Sequence, residues 1–403
     1  MRKIIPYGRQ NITEEDIQAV VEVLNSDYLT QGPKISEFET AFATYIGCKY
    51  AVAVSSGTAA LHLSALALGV GKGDKVITTP ITFAATANCV LYAGGDVVFA
   101  DIDSETYLLN IHKVEELLKT SPKGTYKGII PVDFAGRAVD LEAFRKLADE
   151  YGCWIMEDAC HSPGGYFTDS SGTNHNCGNG NYAELAIFSF HPVKHIAAGE
   201  GGMITTNDEI LYKKLLMLRT HGITKDVISF QNSTEVAHGE NLETLNLKPE
   251  TSFPGWYYEM QDLGFNYRLT DFQAALGLSQ LARADGGLKR RREIAMHYQK
   301  AFIGKHFIRG QSGIIEGHGY HLYIIEVDNR KGLYDYLRKN NIFTQIHYIP
   351  VHLMPYYRQF GWEVGDLPTA ENYYKHCLSL PMYPTLSEEE QALVINTLDQ
   401  FYA

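Results

Sequence analysis

What this 403-residue sequence lacks already narrows its identity. Its six cysteines (48, 89, 153, 160, 177 and 377) include no CxxC pair. A chain this long needs no disulfide staples, so buried, reduced thiols are expected. Cys160-His161 and His175-x-Cys177 could be drawn as zinc ligands, but with no CxxC pair no metal site is expected. No run approaches the roughly 18 apolar residues of a membrane span. The best candidate, 81–95, is interrupted by Thr82, Thr86 and Asn88. The start, Met1-Arg-Lys-Ile-Ile-Pro-Tyr7, is basic but has no apolar core for a signal peptide, so a cytoplasmic protein is expected. Positive charge is short as well: 35 Lys and Arg against 47 Asp and Glu give −12, which argues against binding nucleic acid or an anionic membrane. There is no repeat and no low-complexity tract.

What is present reads as an ordinary globular chain, 45% hydrophobic and 20% charged. At roughly 100–200 residues per domain, two or three domains are expected. Thr13 followed by Glu14-Glu15-Asp16 and the stripe Ile17, Val20, Val21, Leu24 predicts an amphipathic helix. Ile35, Phe38, Phe42 and Tyr45 predict a second, stopped by Gly47. Apolar runs at 50–54, 75–79, 96–100, 128–133, 153–157, 185–190 and 202–206 then alternate with helical patterns. That alternation predicts an α/β fold with a large, mostly parallel sheet. The cofactor-scale domain is placed at 1–250, and interface helices with a smaller α+β domain at 251–403. In that second part, helices are read at 270–285, 287–303, 331–340, 369–377 and 387–402, with apolar runs at 321–328 and 343–349. Residues 223–262 are polar, weakly periodic and end in Phe253-Pro-Gly-Trp-Tyr-Tyr258, a stretch more often functional than idle.

Gly69-Val-Gly-Lys-Gly73 follows a helix and precedes a strand, the wrong context for a phosphate loop, so a helix C-cap and turn is expected. Ser55-Ser56-Gly57-Thr58 has the right context, after a strand and opening a helix. Free backbone amides there suit an anion, although a plain N-cap has the same appearance. Asp158 ends the run Cys153–Glu157, where functional acids of α/β sheets gather, or else it caps the next helix. Lys194 follows the strand Leu185–Phe190 amid Phe, Val, Ile and Ala. Desolvation there would lower its pKa and make it an amine suited to a Schiff base. An anion site, a strand-end carboxylate and a buried lysine are together what pyridoxal phosphate (PLP) requires.

These residues, with Tyr28-Leu-Thr-Gln-Gly-Pro33, Thr79-Pro-Ile-Thr-Phe-Ala-Ala-Thr-Ala-Asn88, Glu-Asp-Ala-Cys-His161, Ser-Phe-His-Pro-Val-Lys194, Gly-Glu-Gly-Gly202 and Gly-Phe-Asn-Tyr-Arg268, resemble the DegT/DnrJ/EryC1/StrS sugar aminotransferases. The resemblance spans essentially the whole chain and implies the fold type I architecture of PLP enzymes. It implies that Lys194 carries the cofactor, that Asp158 partners its ring nitrogen, and that Ser56, Gly57, Thr58 and Ser189 hold its phosphate. Phe83 takes the place of the aromatic residue stacked on the ring, and His161 that of the residue beside the 3-oxygen. Asn266 corresponds to a residue that reaches the phosphate from a partner subunit, which implies a homodimer with composite sites. Relatives with His in place of this lysine are dehydratases; here Lys194 is retained, with His195 next to it.

Within the family, Trp256-Tyr-Tyr-Glu-Met260, Leu-Gly-Leu-Ser-Gln-Leu281 and Gln345-Ile-His-Tyr-Ile-Pro350 most resemble the UDP-4-amino-4,6-dideoxy-N-acetyl-β-L-altrosamine transaminases of pseudaminic acid biosynthesis. That branch implies sugar-nucleotide contacts at Tyr7, Asp27, Tyr28, Leu29, Thr30, Gln345, Ile346, His347 and Tyr348. Arg268 is expected to pair with a pyrophosphate or the carboxylate of a glutamate donor, or else to form an interface salt bridge. The implied reaction is transfer of nitrogen from glutamate to C4 of a UDP-linked 4-keto-6-deoxy-N-acetylhexosamine. Its rivals are another 4-keto nucleotide sugar such as a GDP-linked one, a sugar dehydratase, and a non-catalytic cofactor-binding sensor.

Overall fold

The computed structural model describes residues 4–232, 237, 253–310 and 313–403, so part of the polar stretch at 223–262 lies outside the described residues. Helices α1 (Glu14–Leu24) and α2 (Pro33–Ile46) lead into β1 (Tyr50–Val54) and α3 (Gly57–Ala67). Alternation follows through β2 (Lys75–Thr78), α4 (Ala84–Tyr92), β3 (Asp96–Phe99), α5 (Ile111–Thr120), β4 (Tyr126–Ile130), α6 (Leu141–Tyr151) and β5 (Trp154–Asp158). After the hairpin β6 (Tyr166–Thr168) and β7 (Asn174–Asn176) come β8 (Leu185–Ser189), β9 (Gly202–Thr206) and α7 (Glu209–Arg219). The seven main strands lie in the order β1-β9-β8-β5-β4-β2-β3. All are parallel except β9, which runs against both β1 and β8.

Each face of this sheet has its own core. Val52 and Val54 of β1, with Leu185 and Ile187 of β8, meet helices α3 to α6. Ala51, Ala53, Phe188 and Met203 face the other way, onto α2 and the helix α8 (Asp271–Leu281). There Phe42 is fully buried, its ring 4.9 Å from Phe188 and 5.5 Å from Phe190. The Gly32 and Lys34 amides at the start of α2 donate to Asp271 of α8 at 2.8 and 3.0 Å, which locks the two helices together.

The chain continues with the short pair β10 (Ile223–Thr224) and β11 (Glu259–Met260). Past α8 come α9 (Ala284–Phe302), β12 (Ile308–Arg309), β13 (Tyr323–Val327), α10 (Arg330–Lys339), α11 (Pro355–Arg358), α12 (Pro368–His376), β14 (Cys377–Leu380) and α13 (Glu388–Tyr402). The antiparallel sheet β12-β13-β14 is two-faced. Tyr323, Ile325 and Val327 pack with Ile5, Tyr298, Leu333 and Leu398, whereas Ile324 joins the core of the large sheet. The Ile5 backbone pairs with Asn341 and Phe343, so the N-terminal strand segment is held by the small sheet's side of the molecule.

The structure corrects three sequence readings. The stripe Ile17, Val21 and Leu24 of α1 is exposed, and Asp16 and Val23 are buried instead. Asp16 accepts hydrogen bonds from Ser279 and Gln280 at 2.7 Å and pairs with Arg283, so a polar network rather than apolar burial docks this helix. The run 343–349 forms no strand; it meets the small sheet through the Gln345–Ser379 bridge and the His347–Ser379 hydrogen bond. Residues read as the end of a helix at 377 instead start β14. Gly69–Gly73 is the expected helix exit and turn, with Gly69 and Gly73 at φ +76° and +91°. All six cysteines are free. No helix among the described residues is long and apolar enough to cross a membrane.

Phe42→Ala should cost about 3–5 kcal/mol, as expected for emptying a large buried ring position. Urea unfolding measures this, and a loss under about 1 kcal/mol would mean the aromatic cluster does not anchor α2.

Candidate active site

The residues of interest collect at the carboxyl ends of β1, β2, β5 and β8, the edge where open α/β sheets place ligands. Ser56 caps α3, its hydroxyl accepting from the Ala59 amide at 3.1 Å. The Gly57 and Thr58 amides, at the positive end of this helix, have no protein acceptor among the described residues. Ser189 ends β8 directly opposite: a Cβ on Gly57 would lie 2.9 Å from the Ser189 Cβ. A Cβ on Gly202 would come within 2.5 Å of the Ser56 carbonyl, so only glycine lets β9 pass this turn. Asn266–Arg268 runs alongside, the Ser55 amide donating to the Tyr267 carbonyl at 2.8 Å. Asn266 is exposed, and Arg268 is half-buried with no ion pair and an unpartnered Nε among the described residues.

Asp158, the last residue of β5, is buried and firmly held. Its Oδ2 accepts from Thr86 at 2.7 Å and its Oδ1 from the Cys160 amide at 3.2 Å. Thr86 is steadied by Thr82, 2.8 Å away. Neutral donors rather than a cation therefore position the Asp158 side chain.

Lys194 sits in the turn after β8, its amide bonded to the His191 carbonyl at 2.9 Å, with Ile196, Ala197 and Ala198 buried beyond it. Its Nζ has no hydrogen bond or ion pair among the described residues. Burial lowers its pKa, and the Arg291 charge adds to this, while Asp158 acts the other way. A neutral amine is thereby favoured beside a carboxylate that does not capture it.

A group of imidazoles surrounds the amine. His161 accepts from the Ala135 amide at Nδ1 (3.2 Å), leaving its proton on Nε2, 3.3 Å from the Tyr348 hydroxyl. Its ring lies 4.4 Å from that of His321, which in turn is 5.8 Å from His195. His195 donates to the Gly319 carbonyl at 2.7 Å through Nε2 and leaves Nδ1 unpartnered. His347 shares a hydrogen bond of 2.8 Å with Ser379 and packs 5.3 Å from Tyr7. Burial, with Lys194 nearby, holds His161, His195 and His321 well below the ordinary histidine range and His347 down to about 3.

The structure thus brings Lys194, Asp158, His161, His347, Tyr348 and Tyr7 together, with the exposed Phe83 ring 6.3 Å from Tyr348. Ser56, Gly57, Thr58 and Ser189 form the neighbouring cradle. Gln345 is exposed and turns its side chain back to the Ile346 amide at 2.9 Å. Asp27, Tyr28, Leu29 and Thr30 lie elsewhere within the chain, against Thr270 and Asp271 at the start of α8, with Tyr28 and Leu29 exposed. Sequence reasoning passed over Thr86 and His321. Thr82 and Thr86 share a four-residue spacing that could have revealed a polar helix face. His321 reaches the site only through the long-range docking of β13.

Neither imagined zinc pair forms a cluster. His175 instead faces Asp169 at 2.8 Å, while Cys177 lies with Asp133 and Glu157. Asp133 accepts from Ser162 and the Val139 amide, and Glu157 from the Gly178 amide. Burial and the Asp133 charge raise Glu157 well above the carboxylate range, which favours its protonated form next to Asp158.

Residues 10–399 match the DegT/DnrJ/EryC1/StrS aminotransferase family. The chain is 39% identical to the spore coat polysaccharide biosynthesis protein SpsC of Bacillus subtilis, covering 98% of this chain and 96% of that one. Its fold is similar to that of Helicobacter pylori PseC, an aminotransferase involved in the biosynthesis of pseudoaminic acid. The TM-score is 0.84 at 29% identity, over 99% of both chains. It is also similar to the putative sugar aminotransferase Spr1654 of Streptococcus pneumoniae, solved in PMP and PLP forms. Both give TM-scores of 0.84, with 27% and 26% identity, 99% of this chain covered, and 97% and 98% of those chains covered.

The neutral histidines make stability depend on pH. Their folded pKa values lie below the unfolded value of about 6.5, so the unfolded chain binds more protons under acid conditions and stability falls as pH drops below that point. Each fully buried imidazole contributes up to about 1.4 kcal/mol per pH unit. Urea midpoints should fall between pH 6.5 and 5, less steeply in His321→Asn. Equal slopes for the two proteins would show that His321 titrates normally in the fold.

Proposed function

The chain belongs to the DegT/DnrJ/EryC1/StrS aminotransferase family and is a PLP-dependent sugar aminotransferase; from that premise we propose that it moves an amino group from glutamate to C4 of a UDP-linked 4-keto-6-deoxy-N-acetylhexosamine. The observation that carries this reading is the unpaired Lys194 amine at the end of β8, beside the held carboxylate of Asp158 at the end of β5. The sugar assignment rests on the likeness to PseC and on His347 and Tyr348, which pack against Tyr7 and His161.

The residues fit the cofactor in three respects: a free amine, a carboxylate held by Thr86 and the Cys160 amide, and a cradle that a Cβ on Gly57 would fill. When bound, PLP supplies an aldehyde that captures amines and a ring that draws electrons from the adjacent carbon. Lys194 would hold the aldehyde end and Asp158 the ring nitrogen, with Ser56, Gly57, Thr58 and Ser189 at the phosphate. Phe83 would cover the ring and His161 would stand beside its 3-oxygen. The Lys194 amine would take the proton from the donor Cα and later return a proton at C4 of the sugar. Its lowered pKa keeps a neutral fraction available for this at working pH.

We assign the chain a homodimeric assembly in which Asn266 of the partner subunit completes the phosphate site. The exposed stripe Ile17, Val21 and Leu24, continued by Tyr28 and Leu29, supports this, because such a surface calls for a covering chain. In the same arrangement Asp27–Thr30 and Arg268 serve the sugar nucleotide across the interface. The 39% identity to SpsC favours one second reading, a different 4-keto nucleotide sugar with the same chemistry.

Purified enzyme given glutamate and either the UDP- or a GDP-linked ketosugar separates these readings by mass spectrometry. The UDP amino sugar is expected, and exclusive amination of the GDP sugar would transfer the assignment. Lys194→Ala should lose the visible absorption of lysine-bound cofactor and all transamination. A variant as yellow as the parent would refute the assignment of Lys194.

A further inference from the structure

Three polar side chains outside the chemistry described so far are packed together in the core. Asp133 after β4, Glu157 in β5 and Cys177 after β7 are buried, and each places a polar atom within 4.8 Å of the others. Successive strand residues point to opposite faces, so the Glu157 side chain leaves β5 on the face away from Asp158. No cation pairs with Asp133 or Glu157 among the described residues. Two carboxylates this close in a dry place resist a double charge, so the pair retains a proton. The donors around it show where that proton rests. Asp133 accepts at both oxygens, from the Val139 amide at 2.9 Å and the Ser162 hydroxyl at 2.6 Å, as an ionised carboxylate does. Glu157 accepts only at Oε2, from the Gly178 amide at 2.9 Å, and its buried Oε1 has no donor. A proton on that Oε1, donated to Asp133, satisfies both groups. Burial raises both carboxyls, but the Ser162 and Val139 bonds pull Asp133 back, while the Asp133 charge pushes Glu157 further up. The Cys177 thiol, itself pushed well up by burial, adds no charge.

Asp133 ties together the two loops that carry part of the site. Its amide donates to the Asp158 carbonyl at 3.0 Å, and the Asp158 amide donates to the Pro131 carbonyl at 2.9 Å. Its side chain holds Ser162, the neighbour of His161, and Val139, beyond the turn Phe134–Gly136. That turn supplies the Ala135 amide that donates to His161 Nδ1. Ala135 stands at φ +61°, where a residue with a Cβ rests at a cost, so the turn needs an anchor at its base. We propose that Glu157 is a positioning residue for the amination chemistry, donating its carboxyl proton to Asp133 so that Asp133 holds Asp158 and His161 in place. A charged Glu157 would instead repel Asp133 and loosen both loops. The inference rests on the cofactor roles proposed for Asp158 and His161 and adds the residue that sets them.

The test compares holoenzyme of the parent with Glu157→Leu, Glu157→Gln and Asp133→Asn. Glu157→Leu leaves Asp133 short of a donor and should lose about tenfold or more in kcat. Glu157→Gln keeps a donor toward Asp133 and an acceptor for Gly178, and should restore kcat to within about twofold of the parent. The visible band of lysine-bound cofactor titrates with pH, and its midpoint should move by about half a unit or more in Glu157→Leu but not in Glu157→Gln. A lower melting temperature in Glu157→Leu with that midpoint unmoved would make Glu157 merely structural and overturn the proposal. A proton resting on Asp133 instead would make Asp133→Asn the tolerated variant and Glu157→Gln the damaged one, which would also overturn it. Infrared difference spectra keep the test decisive if Glu157→Leu fails to fold. At neutral pH the parent should show a protonated-carboxyl stretch that Glu157→Gln lacks, and no such band would contradict the proposal. Stabilisation by added zinc that Glu157→Gln abolishes would make the cluster a metal site, again overturning it. Parent enzyme that reacts with glutamate while both Glu157 variants match it sinks only the positioning role; parent enzyme with no visible band sinks the cofactor reading itself.

Discussion

The arrangement depends on keeping an amine and a carboxylate close together without letting them form an ion pair. Asp158 would be the natural partner of Lys194, yet its two oxygens are engaged by Thr86 and the Cys160 amide. Neutral donors stabilise a buried carboxylate without an opposing cation, which leaves the amine uncommitted. Burial then does to Lys194 what pairing would undo, favouring the uncharged form that can attack and carry protons.

The surrounding imidazoles follow the same logic. Charged histidines around Lys194 would be costly in so dry a place, and His161, His321 and His347 are held neutral. Each is placed by an element from a different part of the chain: His161 after β5, His321 before β13, His347 in the run beside β14. The small sheet therefore contributes to the site as well as packing against it. Its two-faced strand β13, with Ile324 turned to the large core and Ile325 to the small one, holds both halves in register. Next to Asp158, the protonated form favoured at Glu157 avoids adding further negative charge to the same strand end.

Much of this was legible in the sequence because parallel strands buried on both faces read as plain apolar runs, and the candidate site residues fall just past their ends. Asp158, Ser56-Gly57-Thr58, Ser189 and Lys194 were readable for that reason. The antiparallel direction of β9 was not, since a short apolar strand carries no mark of its direction. The docking face of α1 was misread because Asp16 is buried by a network with Ser279, Gln280 and Arg283, all more than 260 positions away. His321, Arg291 and Thr86 were passed over because their importance comes from tertiary contacts that no local pattern announces. Asp27–Thr30 stands apart from the Lys194 group within one chain, and the proposed dimer that would relate them is something a single sequence expresses only by analogy.

The most direct test of the central claim is chemical. Holoenzyme reduced with borohydride and digested should yield a single pyridoxyl-bearing peptide, and fragmentation should place the label on Lys194. A label on any other lysine, or none, would contradict the account.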